Sequence, residues 1–212
     1  KGCQGKGLGK IIAGKSIVGQ FFESAVLTAG KDVQATYLLN CQLKANGKLL
    51  VEGRKGVIIG GKTCAKLGVS CNGIGNIAEI ATVVSVGIDK EDMTAYQELQ
   101  KKIEQTQAEL QTCENGLNKL MANPVHDEKV SMMIQRLTRA VYTLKSSRKE
   151  LFSERNAQME QMTKQKEARI QVSGRAYPGT LLFLNEDPFA IKEIYNNVEF
   201  VKHDNRIDTL AH

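Results

Sequence analysis

The chain has 212 residues, 42% of them hydrophobic, which is enough apolar material for an ordinary folded core and excludes a disordered protein. The basic excess behind its net charge of +6 belongs to residues 1–90, with 12 Lys and Arg against 5 Asp and Glu, whereas residues 91–168 hold 12 of each. No run approaches the roughly 20 apolar residues of a membrane-spanning helix, so we expect no transmembrane segment and a soluble protein.

Two further features bear on the cellular compartment. The five cysteines are an odd number without a regular framework, which favours reduced thiols in a cytoplasm. Cys64 and Cys71 are close in sequence but have no nearby His, so we interpret them as buried solenoid thiols rather than zinc ligands. Because the chain begins at Lys1 without an initiator Met, we expect a longer natural protein with any targeting signal upstream.

Glycine divides the chain, since 16 of its 19 glycines lie at or before Gly87. Within that part a small or aliphatic residue followed by Gly and Lys recurs at nearly regular intervals. The four copies are Ala13–Lys15, Ala29–Lys31, Ala45–Lys48 and Ile59–Lys62. The interval between them is too short for a pair of helices. The segments between the copies, such as Tyr37–Leu39, favour strands, so the pattern predicts strand, corner, strand.

Units this short cannot bury their inward side chains alone. Successive coils are therefore expected to stack about 4.8 Å apart as parallel strands around a narrow apolar core. The predicted fold is mainly β, a parallel β-helix of a few coils. We expect Gly at each corner to supply backbone angles that a Cβ disfavours, with the following Lys turned outward.

From Glu91 to about Lys166 the apolar residues recur in steps of three and four, the spacing of a coiled coil. Two such registers flank Asn123–Asp127, in which Pro124 is expected to end the first helix and Asp127 to cap the second. So short a connection makes the helices antiparallel neighbours. The sequence thus predicts a long α insertion, an antiparallel coiled-coil hairpin. Its predicted seam is Leu99, Ile103, Leu110, Leu117, Leu120, Val130, Met133, Leu137, Leu144 and Leu151.

After the hairpin the hydrophobic period returns to two, in Arg169–Val172 and Thr180–Leu184, so strands resume. Between them Tyr177, Pro178 and Gly179 have the composition of a structural turn. We divide the chain into β-helix coils over residues 1–90, the hairpin over 91–167, and C-terminal strands over 168–212 that complete or cap the β-helix.

The order of these parts resembles the flagellar assembly protein A (FapA) family. The resemblance rests on the glycine-rich solenoid, on Val86-Gly87-Ile88-Asp89 leading into the hairpin, and most of all on the Val-x-Gly-x-x-Tyr-Pro-Gly pattern from Val172 to Gly179. It covers essentially the whole chain. Two departures affect the coil boundaries: Lys90 stands where the family often has Pro, and the first coil, Lys1–Gly9, is degenerate.

The resemblance implies a bacterial cytoplasmic protein with a right-handed β-helix that polymerises, a further N-terminal domain, and a role in flagellar assembly or polar flagellar placement. We therefore expect a nonenzymatic scaffold in the cytoplasm, including the cell pole. It would self-associate through the β-helix and dock an unidentified protein of the flagellar or polar machinery. The hairpin is then either a docking arm or a mere spacer.

Two other functions are compatible with a β-helix. One is a cytoskeletal or division-related polymer unconnected with flagella. The other is an acyltransferase, which needs a general base, and the histidines are His126, His203 and His212. The repeat in this chain is more than twice as long as the hexapeptide repeat of such enzymes. We predict no catalytic, cofactor-binding or metal-binding residues.

Lysines at equivalent corners of stacked coils should form a basic stripe. Lys15, Lys31, Lys48 and Lys62 are the predicted members. Such a stripe could bind an acidic protein, a nucleic acid or an anionic lipid. Solvated lysines that only deter edge-to-edge strand pairing are the alternative. No aromatic platform accompanies them, so no nucleic acid partner is expected.

Overall fold

The computed structural model describes residues 1–122, 127–204 and 206–211, and this part of the chain has fourteen strands and two helices. The helices are α1 (Lys90–Met121) and α2 (Glu128–Lys166). The strands are β1 (Cys3–Ala13), β2 (Ile17–Val18), β3 (Phe21–Ala29), β4 (Val33–Ala35), β5 (Tyr37–Ala45), β6 (Leu49–Val51), β7 (Val57–Ala65), β8 (Val69–Ile74), β9 (Thr82–Val86), β10 (Ile170–Ala176), β11 (Thr180–Leu184), β12 (Asp187–Ala190), β13 (Tyr195–His203) and β14 (Arg206–Ala211). The chain divides into a β unit, Lys1–Lys90 with the chain from Met162 onward, and a helical unit, Glu91–Gln161.

The β unit is a solenoid of about four turns, in which strands of successive coils pair in parallel. The sequence separation between paired residues gives the length of a coil. It is shorter between Ile17 and Val33, in an early coil, than between Gly61 and Thr82, in a later coil. The predicted β-solenoid with a long helical insertion and C-terminal strands is therefore confirmed. The coils lengthen along the chain, which the sequence repeat alone did not show.

Each coil has three faces because its longest strand bends. Strands β3, β5 and β7 bend at Ser24, Asn40 and Gly60, where φ is 47°, 49° and 68°. In β7 the two halves pair with different strands, the first half with β8 and the second half with β9. Gly and Asn suit this left-handed backbone conformation better than bulky residues.

A column of alanines marks one corner of the core. Ala13, Ala29, Ala45 and Ala65 pair in register, and the last three are at most 2% exposed. Their small side chains leave room for the chain to turn at the next residue. The backbone of that residue continues the ladder, as Gly30 N–H donates to the Ala13 carbonyl at 2.8 Å.

The expectation that corner glycines supply unusual backbone angles is wrong for Gly14, Gly30 and Gly47, none of which has a positive φ. Gly30 is needed for another reason, since a Cβ there would overlap the carbonyl oxygen of Gly14 on the preceding coil. A Cβ at Gly47 would overlap the carboxylate of Asp32. Gly30 and Gly47 therefore permit close stacking, whereas the left-handed angles of Ser24, Asn40 and Gly60 lie at the strand bends.

The helical unit is an antiparallel hairpin. Lys145 Nζ lies 2.8 Å from Glu114 Oε1, and Arg148 donates a hydrogen bond to Gln107 Oε1 at 2.8 Å. The residue number rises along α2 as that of its partner falls along α1, which requires opposite helix directions.

Asp127 is the N-cap of α2, because the Val130 N–H donates to its Oδ1 at 2.8 Å. The rest of the predicted connection, Asn123–His126 with Pro124, lies outside the described residues.

Burial on the two helices locates the packed seam. Leu99, Ile103 and Leu110 are buried on α1, and Leu117, Leu120, Val130, Leu137, Leu144 and Leu151 are partly buried. Met133 does not belong to the seam, since it is 53% exposed while its neighbour Ile134 is partly buried. The most buried residue of α2 within this unit is Val141.

The C-terminal strands cover the last coil with antiparallel pairing. Strand β13 pairs with β10, β14 pairs with β13, and β12 pairs with β11. Phe200 of β13 is fully buried and packs in an aromatic cluster with Phe189 and Tyr195, at ring-centroid distances of 5.5 and 5.7 Å. This cluster closes the apolar core at the C-terminal end of the parallel stack.

Candidate functional site

The helical insertion occupies a repeated corner of the solenoid. Val86 pairs with Ala65, so the insertion begins just after the position of the alanine column. The chain returns in Ile170, which pairs with Val69, and the Val69 N–H donates to the Arg169 carbonyl at 3.0 Å. The strands before and after the insertion thus stack on the preceding coil as consecutive parts of one coil.

Asn185 ties together the two ends of the insertion within the β unit. The Ile88 N–H donates to its Oδ1 at 2.9 Å, and its Nδ2 donates to the Lys166 carbonyl at 3.2 Å. Its own N–H donates to the Val86 carbonyl at 3.0 Å, and its φ is 49°. One side chain in a left-handed conformation therefore fixes both the exit and the re-entry of the chain.

Substitution of Asn185 should destabilise the β unit, by an amount that depends on how many of its side-chain hydrogen bonds are lost. Asn185→Leu removes both side-chain hydrogen bonds and places a branched side chain at positive φ, so we expect a loss of about 2–4 kcal/mol in the free energy of unfolding of the β unit. Asn185→Asp keeps the acceptor for Ile88 and should lose less. Urea unfolding followed by circular dichroism measures both, and equal stability of the Leu variant and the parent would contradict the role of Asn185.

A partly buried group of ion pairs lies beside the corner from which the insertion leaves the solenoid. The Asp89 carboxylate is 3.8 Å from Lys66 Nζ and 4.0 Å from Lys44 Nζ. The Lys66 side chain is only 11% exposed and that of Asp89 24% exposed. Asp89 directly precedes α1. The two ammonium groups therefore fix the position of Asp89 within the β unit, directly before α1 begins.

The predicted lysine stripe does not form as a single line. Lys15 and Lys31 occupy equivalent positions, because the Lys31 N–H donates to the Lys15 carbonyl at 3.1 Å. On the next coil the equivalent residue is Gly47, and Lys48 instead donates its N–H to the carboxylate of Asp32.

Lys62 lies within β7, on another face, where it pairs with Gln42 and Val83. Only two of the four lysines thus share a corner column. The predicted turn residues lie between β10 and β11, where Tyr177 donates its N–H to the Ile74 carbonyl at 2.9 Å and Gly179 has a φ of 79°.

Candidate catalytic groups are not brought together in the described part of the chain. His203 is exposed at the end of β13, opposite Arg206, while His126 and His212 lie outside the described residues. A groove of about 470 Å³ beside the insertion corner is lined by residues 48–50, 67–70, 164, 167, 169 and 171, none of them histidine. Among the described residues no group of three His, Cys, Asp or Glu side chains could hold a metal ion.

The buried thiols have the ionisation of core residues. Burial raises the pKa of Cys71 to about 12, and burial likewise raises the pKa of Cys41. A thiolate is the reactive form, so these thiols should resist alkylation at neutral pH.

We therefore expect iodoacetamide at pH 8 to leave Cys41 and Cys71 unmodified in the native chain and to modify them in urea. Cys64, which is partly exposed, serves as the control. Peptide mass spectrometry gives the readout, and rapid native labelling of Cys71 would contradict its place in the core.

A family model described as Flagellar Assembly Protein A beta solenoid domain matches residues 1–207. No curated protein and no solved structure matches the chain significantly. Neither helix in the described part of the chain is both long and apolar enough to cross a membrane.

Proposed function

Since the chain belongs to the flagellar assembly protein A family, we propose that it is a nonenzymatic scaffold of flagellar assembly or polar flagellar placement. The match of the family model to residues 1–207 is the observation that carries this proposal. The solenoid supports it, because its core positions, such as Leu27 and Ile58, are filled by apolar side chains with no exposure. The scaffold would act in the cytoplasm and at the cell pole, through self-association and the docking of a protein partner.

The surface proposed for self-association is the first edge of the solenoid. Within the described residues β1 pairs only with β3, and β2 pairs only with β4, so both present a second strand edge. Three large apolar side chains on these two strands are exposed to solvent. They are Leu8 and Ile12 on β1, at 93% and 66% exposure, and Val18 on β2, at 74%. Unpaired strand edges with apolar neighbours favour strand addition from another chain.

Deletion of the gene tests the cellular role. We expect mutant cells with fewer or misplaced flagella, scored by electron microscopy, and recovery when the wild-type gene is returned. Cell length and division sites are scored in the same cells. Normal flagellation would contradict the proposal, and a division defect with normal flagella would favour the cytoskeletal polymer instead.

A further inference from the structure

The solvent-facing side of α2 carries a continuous stripe of exposed residues in steps of three and four. The stripe residues are Lys129, Met132, Arg136, Arg139, Thr143, Ser146, Glu150, Glu154, Ala157 and Glu160, and every one of them is exposed. At 3.6 residues per turn these positions lie on one side of the helix. The seam residues, such as Val141 and Leu144, lie on the opposite side, so the stripe has no role in the hairpin's own packing.

Charge is segregated along this stripe. Residues 129–149 contain six Lys and Arg and no Asp or Glu, whereas residues 150–160 contain three Glu and one Arg. That single Arg155 is half-buried, with its guanidinium 4.6 Å from the centre of the Phe152 ring, and so does not neutralise Glu150 or Glu154. One half of the stripe is therefore basic and the other half acidic.

The basic residues of α2 differ in whether they contact α1. Lys145 and Arg148 are engaged by Glu114 and Gln107 of α1, at 2.8 Å each. Arg136 and Arg139 have no ion-pair partner in the described part of the chain. The two arginines of the stripe thus present their charge to whatever binds the outer face of α2.

The stripe is complementary to itself when reversed. We propose that two copies of the chain pair through antiparallel α2 helices, with a two-fold axis between Thr143 and Ser146. That arrangement brings together Lys129 with Glu160, Arg136 with Glu154, Arg139 with Glu150, and Met132 with Ala157. In each pair the basic residue and the acidic residue lie the same number of residues from the axis along the helix, to within one residue. All the pairs therefore form in a single register. The small Thr143 and Ser146 side chains let the helices approach at the crossing.

Symmetry determines the consequences of this contact. Each ion pair occurs twice, and an isologous contact closes at two copies rather than growing. Exposed ion pairs are individually weak and are screened by salt, so the association should be salt-sensitive. It does not depend on the solenoid edge, and it would link two scaffolds through their hairpins.

Charge reversal tests the contact in the complete chain, with association measured by sedimentation equilibrium between about 50 and about 500 mM salt. We expect salt to weaken association of the parent chain. R136E/R139E and E150K/E154K should each weaken the low-salt association by about 10-fold or more, since each leaves five of the six charged stripe residues with the same sign. K101E/K102E makes the same charge change on exposed positions of α1 and should leave the association unchanged.

Mixing is the decisive arm of this experiment. An equimolar mixture of R136E/R139E with E150K/E154K should regain association, because positions 136, 139, 150 and 154 are then all acidic in one stripe and all basic in the other. The four substitutions combined in one chain should also restore it, with the charge order reversed at those four positions. Variants that associate like the parent, or a mixture that stays as weak as its components, would overturn the antiparallel contact. Neither result bears on the solenoid edge, which these substitutions leave intact.

Discussion

Phe200→Ala is expected to reduce the free energy of unfolding of the β unit by about 3–5 kcal/mol, the usual cost of removing a buried aromatic side chain. Phe200 is fully buried, and its ring packs against Phe189 and Tyr195, so the truncation leaves a cavity where the C-terminal strands close the core. Urea unfolding measured by circular dichroism gives the loss.

The control for this substitution lies on the neighbouring strand. Leu210 is 46% exposed and is paired with Glu199, next to Phe200, so Leu210→Ala changes the same hairpin without opening the core. It should cost less than about 1 kcal/mol. Similar losses for the two variants would mean that β13 and β14 do not cap the solenoid core.

Gly61→Ala is the second substitution with a large expected effect, a loss of about 3 kcal/mol or more in the free energy of unfolding. Gly61 has a φ of 76°, and a Cβ there would overlap the carbonyl oxygen of Cys41 on the preceding coil. The obstacle is backbone, so the coils themselves must separate to relieve it.

Gly7→Ala separates the two causes. Gly7 has a similar φ of 81°, but a Cβ there meets nothing within 4 Å. It should therefore show only the cost of the left-handed conformation, about 1 kcal/mol. If Gly61→Ala is no more harmful than Gly7→Ala in the same unfolding measurement, close stacking of the coils at Cys41 is not a constraint on this position.

The solenoid could be predicted from the sequence because short glycine-marked units have few ways to bury their apolar side chains. The register in which the coils stack could not be predicted, since one coil is longer than those before it. The connection between β6 and β7 spans residues 52–56, whereas a single residue, Thr36, joins β4 to β5. That extra length moves Lys62 out of the corner column, although its local sequence resembles the earlier corners.

The register of the helical hairpin likewise could not be predicted from the sequence. Its existence and direction follow from the heptad spacing and the short connection, but Met133 and Ile134 are both apolar and adjacent, so spacing alone allows two registers. The structure buries Val130, Ile134, Leu137 and Val141 towards α1, at least in part, and leaves Met133 exposed. Tertiary packing, which depends on both helices at once, decides between the two.

Asn185 lay beyond sequence reasoning for a different reason. Its two side-chain partners are backbone groups at Ile88 and Lys166, and the stretch of chain between Ile88 and Asn185 includes the whole insertion. An isolated Asn after a strand predicts a turn. Only the stacking of β11 on β9 brings this turn to the insertion corner.

Assembly through the solenoid is tested most directly by the mass of the chain as a function of concentration in light scattering, before and after residues 91–161 are replaced by a short Gly-Ser linker. We expect the linker chain to keep its β-sheet circular dichroism and still to grow in mass with concentration, because the coil is continuous across the insertion and the first strand edge is unchanged. A folded linker chain that stays monomeric at all concentrations would contradict a scaffold that assembles through its solenoid.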